Sequence, residues 1–191
     1  MTVWEVKVLR FITRNHQKIK DYRKMLATLS FRPVELSLRE PQGDNQEEIV
    51  RSKVLIAFSM KRAPLFVDHT GLFVEAWNDF PGGLSRELWD KLGAEGFLRL
   101  LSCENNRRAL ARTLIGYCDA FNIYIFEGQL RGTLARELKD CSSDWDALFI
   151  PEGHSTMLAC MEPEERHDFC MRWQAAEKFK AFVLRKAGDR R

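Results

Sequence analysis

The sequence predicts an α/β or α+β fold built around a mixed sheet, and three observations carry that reading. Helical and strand patterns alternate through the first half, strand patterns cluster in the third quarter, and no linker, repeat or low-complexity segment divides the chain. At 191 residues with 45% hydrophobic content, one domain spanning residues 1–191 has enough apolar material for a sizeable core.

Taken in order, Val6 to Ile12 alternates β-branched and aromatic residues with Lys7 and Arg10, a strand that stops at Thr13-Arg14-Asn15. Ile19, Tyr22, Leu26 and Leu29 then recur at helical spacing, and Pro33 closes that unit before a short strand from Val34 to Leu38. Asn45 with Glu48 three positions on reads as a helix cap, opening a helix through Val50, Val54, Ala57 and Lys61. Leu65 to Val67 reads as a buried strand ending at Asp68-His69-Thr70-Gly71, with Leu72 to Ala76 as the next one. Turn chemistry in Asn78-Asp79-Phe80-Pro81-Gly82-Gly83 precedes two helical stretches, Glu87 to Leu92 and Gly96 to Leu101. Ala109 to Tyr117, Asn122 to Phe126 and Gln129 to Leu134 read as antiparallel strands, and Leu148 to Ile150 as a further short one. A C-terminal helix from Glu164 carries Phe169, Trp173, Ala176 and Val183, and Arg185 to Arg191 reads as a solvated basic tail.

Composition excludes several roles. Thirty basic against 27 acidic residues leave a net charge of only +3, and Lys and Arg are interspersed with acids, so neither nucleic acid nor membrane is an expected partner. The five cysteines are scattered and contain no C-x-x-C pair, which implies neither a disulfide framework nor a zinc ribbon and fits a reducing cytoplasm. Glu5, Lys7 and Arg10 interrupt the opening apolar stretch, unlike a signal-peptide core.

Chemistry concentrates in loops that follow strands, where α/β sheets place their ligand sites. Thr13, Asn15 and Lys18 lie between a strand and a helix N-terminus, a position suited to phosphate. Glu40 and Asp68 follow short apolar strands, and two converging carboxylates are what a Mg²⁺ on a triphosphate uses. Lys53, on the intervening helix, is placed to reach the same phosphates.

In this order the segments resemble the inosine triphosphate pyrophosphatase family, enzymes that cleave deaminated purine nucleoside triphosphates to monophosphate and pyrophosphate. The family's T-G-N-x-x-K is matched by Thr13-Arg14-Asn15-His16-Gln17-Lys18, its metal motif by Glu40-Pro41-Gln42-Gly43, and its helix lysine by Lys53. Its D-D-S-G-L is matched by Asp68-His69-Thr70-Gly71-Leu72, and its A-P-G loop by Phe80-Pro81-Gly82. F-G-Y-D-P-x-F is matched by Ser143-Asp144-Trp145-Asp146-Ala147-Leu148-Phe149, and S-H-R by Cys170-Met171-Arg172. The resemblance implies two lobes around a nucleotide cleft, Mg²⁺ held by Glu40 and Asp68, phosphates held by Thr13, Asn15, Lys18 and Lys53, and a base read by Trp145, Asp146 and Arg172.

The departures shape the functional expectation. His69 stands where the family places its general base, and imidazole is a poor ligand for a hard cation. Ser143 replaces the aromatic residue that stacks on the purine, and Met171 replaces the His of S-H-R, leaving Trp145 and Trp173 as rings that stack or simply belong to the core. The resemblance therefore implies a binder of ITP, dITP or XTP with weakened catalysis, a sensor or regulatory subunit reporting to an effector protein as divergent members in bacterial defence settings do. The alternative is an active Mg²⁺-dependent pyrophosphatase in which Asp68 is the base and His69 assists. A homodimer through the Pro-Gly loop is implied as well, with Trp77, Phe80 and Trp89 supplying apolar surface.

Overall fold

The computed structural model describes residues 8–38, 43, 45–139 and 145–188. Seven strands form one mixed sheet in the order β2-β1-β3-β5-β6-β7, with β4 paired to β3. β1 (Leu9–Ile12), β2 (Phe31–Val34) and β3 (Leu65–Val74) run parallel. β4 (Pro81–Gly82), β5 (Arg108–Cys118), β6 (Ile123–Leu134) and β7 (Phe149–Pro151) add antiparallel pairings, as the clustered strand patterns predict.

Helices α1 (His16–Met25) and α5 (Met171–Gly188) cover one face of the central strands. Tyr22, Leu26, Ala176 and Phe179 pack there on Phe11, Phe66 and Ile115, with the Phe11 and Phe66 rings stacked at 4.5 Å. On the opposite face α2 (Gln46–Lys61) sets Val50, Val54 and Ala57 on Leu65, Val67 and Leu114. Its start is the expected cap: Asn45 accepts hydrogen bonds from the Glu47 and Glu48 amides and donates to the Glu48 carboxylate. A third apolar cluster joins Leu72 and Val74 to Trp89, Phe97 and Leu101 of α3 (Ser85–Leu100) and to Leu134 and Phe149. Gly93 breaks α3 with φ of 64°, which separates the two helical stretches read from the sequence. Trp89 is thus a core residue, and Phe80 is the exposed member of the three aromatics expected at a dimer surface.

Four boundaries differ from the sequence reading. β2 begins at Phe31 because Pro33 is accommodated inside it, an option open only at a sheet edge, where no ladder partner needs the missing N–H. β3 runs unbroken through Asp68-His69-Thr70-Gly71, all ten residues pairing with β5. β6 continues through Glu127-Gly128, which stay paired with Leu114 and Thr113 of β5, and α5 lies so close that a Cβ on Gly128 would sit 1.9 Å from the Met171 carbonyl oxygen. The last helical region is two helices, α4 (Pro163–Asp168) and α5. Cys103, Cys118 and Cys170 are free and Cys160 is disulfide-bonded, a single bridge that spacing in sequence does not reveal and not the framework of bridges that the spacing argued against. Among the described residues no helix is long and apolar enough to cross a membrane.

In the basic segment at the end of α5, Arg185, Ala187 and Gly188 are exposed as expected, but Lys186 is tied to the sheet. Lys186 donates to Asp119 Oδ2 at 2.6 Å and to the Tyr124 hydroxyl at 2.6 Å. Asp119 Oδ1 accepts from the Phe121 and Asn122 amides. Burial works to raise the Asp119 carboxyl, but the Lys186 and backbone hydrogen bonds outweigh it and hold the group at about 2. A carboxyl near 4 in the unfolded chain and about 2 in the folded one contributes about 2 kcal/mol, fully present above pH 4 and lost as pH falls from 4 through 2. Acid titration of the Asp119→Asn variant is therefore expected to show a correspondingly shallower loss of stability below pH 4 than the wild type.

Candidate anion-binding site at the middle of the sheet

Side chains of a strand alternate between the two faces, so β3 presents Phe66, Asp68, Thr70 and Leu72 to one side and Val67 and His69 to the other. On the first side Phe66 belongs to the α1 and α5 cluster and Leu72 to the α3 cluster. Asp68 and Thr70 occupy the gap between these apolar masses, and the polar quartet that looked like a loop is the centre of the sheet.

Asp68 has 2% side-chain exposure and gathers cations from two helices. Lys18 of α1 bonds Oδ1 at 2.8 Å, and Arg172 Nε of α5 lies 3.6 Å from Oδ2 while its NH1 bonds Asp21 at 2.9 Å. Burial would raise the Asp68 carboxyl, but Lys18 and Arg172 hold it below its ordinary value. For Lys18 burial wins, and its ammonium lies below the usual lysine range despite Asp68. Burial and the neighbouring Asp68 charge push the Tyr22 phenol well up, so it stays protonated. Asp68 Oδ2, the Tyr22 hydroxyl and Arg172 Nε are all buried without a partner at hydrogen-bonding distance. Thr70 and Thr113 extend the polar strip through a 2.8 Å hydroxyl pair.

The other face is set by α2. Lys53, 9% exposed, donates to the Asp68 carbonyl at 3.4 Å. Gln46, fully buried in the first turn of α2, donates through Nε2 to the carbonyls of His69 at 3.1 Å and Arg112 at 3.0 Å. Its Oε1 accepts from Arg112 Nε at 2.7 Å, and the Arg112 guanidinium lies 4.4 Å from the centre of the Phe73 ring. His69 Nδ1 is 3.3 Å from Gln46 Nε2.

The structure thus brings Lys18, Lys53, Asp68 and Arg172 together and puts His69 on the opposite face of β3 from Asp68. Thr13 and Asn15 sit at the entrance to α1, where Asn15 Oδ1 caps the helix by accepting from the Lys18 amide at 3.0 Å and Thr13 Oγ1 accepts from the Asn15 amide at 3.1 Å. Asp146 pairs with Arg166 of α4, leaving Oδ1 buried and without a partner, and Trp145 packs edge-on to Phe149. Trp173 packs against the α1 and α5 core. Glu40 and Ser143 lie outside the described residues. Tyr22, Asp21, Gln46 and Arg112 were missed in the sequence reading; Tyr22 fell on the apolar stripe of α1, and nothing in its spacing distinguished a phenol facing a carboxylate from a core ring.

Lys18, Lys53 and Arg172 against Asp68 and Asp21 leave an excess of one positive charge in a partly desolvated place, next to the N-terminus of α1. That is an arrangement for a polyanion. Among the described residues no three His, Cys, Asp or Glu side chains converge, and Asp68, one of the two carboxylates expected to hold a metal, pairs with Lys18 and Arg172 while the other, Glu40, lies outside those residues.

The sheet and its charged centre define an α/β protein with a candidate anion-binding site between two apolar clusters. The chain belongs to the Ham1 family, whose model matches residues 9–182. It is 34% identical over 181 residues to the dITP/XTP pyrophosphatase of Korarchaeum cryptofilum, an alignment covering 94% of this chain and 98% of that protein. It is 29% identical to the inosine triphosphate pyrophosphatase of Yarrowia lipolytica, covering 93% and 96% of the two chains. The fold matches the structure of a HAM1 protein from Coxiella burnetii with a TM-score of 0.81 at 21% identity, covering 93% of this chain and all of that one.

Proposed function

We propose that this protein binds purine nucleoside triphosphates carrying a deaminated base, ITP, dITP or XTP, and turns them over weakly, acting in the cytoplasm as a nucleotide sensor or regulatory subunit. The gathering of Lys18, Lys53 and Arg172 around Asp68 in the polar gap of β3 carries the reading, because these cations suit a triphosphate. The names of the relatives, dITP/XTP and inosine triphosphate pyrophosphatase, support the choice of base and phosphate. Asp146 Oδ1 is a buried acceptor awaiting a donor, which N1–H of hypoxanthine supplies and N1 of adenine does not. Asp68, together with Glu40, would hold a Mg²⁺, which would neutralise charge on the phosphates.

Calorimetry with ITP, dITP and ATP, run beside a pyrophosphate-release assay, tests the reading. ITP is expected to bind at least roughly tenfold more tightly than ATP. Equal affinities would remove it. The second reading, an active pyrophosphatase, is favoured by the relatives' names over 94% of the chain. His69→Asp separates the two. Restoring a carboxylate at this position is expected to raise pyrophosphate release from ITP by roughly 10²-fold or more, the deficit of one positioned base. Wild-type turnover already at roughly 1 to 10³ per second, with the substitution slowing it, would establish the active enzyme instead. A homodimer and a separate effector protein complete the proposal, and sedimentation with and without ITP tests the former.

A further inference from the structure

We propose that the hollow where β5 begins and β6 ends, walled by Arg107, Arg108, Arg136, Thr133 and Ile150, is a second anion site on this chain. It takes a small phosphate monoester, with the phosphate against Arg107 and Arg136 and the organic part against Ile150. This site lies apart from the cluster at Asp68 and does not rest on the function proposed above.

Arg107 stands between α3 and β5, and its side chain ties the end of one to the neighbour of the other. Nε donates to the Leu134 carbonyl at 2.8 Å, NH1 to the Leu101 carbonyl at 2.7 Å, and NH2 to the Ala135 carbonyl. Three carbonyls satisfy hydrogen bonds but carry no net charge, and two of the five N–H groups of the guanidinium remain for a ligand. Arg107 is only 6% exposed, and among the described residues no carboxylate pairs with it. The charge that acts on it is another cation: burial, and then Arg136, push its guanidinium below the usual arginine range. Arg136 is exposed and likewise has no ion pair among the described residues. Arg108 differs, because Glu75 meets its Nε at 2.8 Å. The hollow therefore holds two uncompensated positive charges, one of them desolvated.

Two guanidinium groups brought together repel, and an anion between them turns that repulsion into attraction. A phosphate monoester carries close to two negative charges at neutral pH and balances both, whereas a single carboxylate balances one. At about 730 Å³ the hollow is of the size that small organic ligands occupy, more than a bare ion fills. Thr133 pairs with Arg108 across β5 and β6 and with Ile150 across β6 and β7, so the three side chains stand in a row on one face of the sheet. That row passes from cation to hydroxyl to apolar surface, matching a ligand charged at one end. Ile150 follows Phe149 in β7 and so faces away from the side where Trp145 packs on Phe149. Along β5, Arg108 is seven residues from Ile115, the pairing partner of Asp68, a separation of about 24 Å at the rise of an extended strand.

Phenyl phosphate titrated into the full chain at constant ionic strength, followed in backbone amide ¹H–¹⁵N spectra, tests the assignment. Saturable shifts are expected at the amides of Arg108, Thr133 and Arg136. Arg107→Gln would cut three carbonyl bonds along with the charge, so the exposed Arg136 is the position to replace. Arg136→Gln is expected to weaken the dissociation constant read at Arg108 and Thr133 at least roughly tenfold. Ile150→Ser is expected to weaken phenyl phosphate roughly threefold or more and to leave inorganic phosphate nearly unchanged. Benzoate, a carboxylate on the same ring, is expected to bind at least roughly tenfold more weakly than phenyl phosphate. Shifts confined to the surroundings of Lys18 and Arg172, or an unchanged dissociation constant in Arg136→Gln, would overturn the site. Benzoate binding as tightly as phenyl phosphate, or equal losses of both phosphates in Ile150→Ser, would overturn the ligand assigned to it. These signals come from residues remote from Lys18, so a failure of ITP to bind would strike the proposed function alone.

Discussion

Asp68→Asn is expected to lower the melting temperature by roughly 6 to 20 °C. The substitution keeps the side chain's shape but removes the charge that Lys18 and Arg172 share from α1 and α5. Breaking one partner out of a buried ion pair costs about 3 to 5 kcal/mol, because the remaining charges stay desolvated. For a chain of this length each kcal/mol corresponds to roughly 2 to 4 °C. The same logic makes the variant unusually responsive to anions. Inorganic pyrophosphate is expected to raise its melting temperature more than that of the wild type, since the anion returns the missing negative charge to Lys18 and Arg172. Thermal scans with and without pyrophosphate decide both points, and a melting temperature within about 2 °C of wild type would show that Asp68 does not organise the cluster.

Gly128→Ala is expected to be nearly as damaging for a different reason. An added Cβ would stand 1.9 Å from the Met171 carbonyl oxygen and 2.8 Å from the Ala175 amide nitrogen, both backbone atoms of α5. Neither can turn aside as a side chain would. The helix must lift from β6, loosening Phe179 from the core and displacing Arg172 from Asp68, so a loss of about 3 kcal/mol or more is expected in urea unfolding. Gly188→Ala, at the far end of the same helix with open space around it, provides the control and is expected to be neutral or slightly stabilising. Equal effects for the two would indicate that α5 is not held by its contact with β6.

These two positions also show what was legible in the sequence. Alternation and helical spacing located most elements, because a strand or helix that buries one face must repeat its apolar residues at that element's own period. The errors fall where tertiary contacts override local chemistry. Gly128 reads as a turn residue, yet it is there because a helix backbone occupies the space of its side chain. Asp68 to Gly71 read as a loop because polar residues at the centre of a sheet are rare, and only partners far along the chain, Lys18 at 50 residues and Arg172 beyond, make them tolerable. Lys18, Lys53 and Asp68 were identifiable from motif order. Gln46 was not, since a glutamine in the first turn of a helix is ordinarily solvated, and its value depends on Arg112 66 residues away.

The polar belt across β3 has a consequence for how this chain tolerates change. Phe66 and Leu72 anchor separate apolar clusters on the same face of one strand, with Asp68 and Thr70 between them, so the two halves are joined there by charge and hydroxyl pairing in place of continuous packing. An ion pair must meet narrower demands of distance and angle than two methyl groups in contact. A core substitution that moves either half slightly is therefore felt twice, once as lost packing and again as misalignment of the belt. Sequences drifting under selection for the site would accumulate compensating changes in both halves together, and α3 and α1, which pack in separate apolar clusters, would be constrained as one unit.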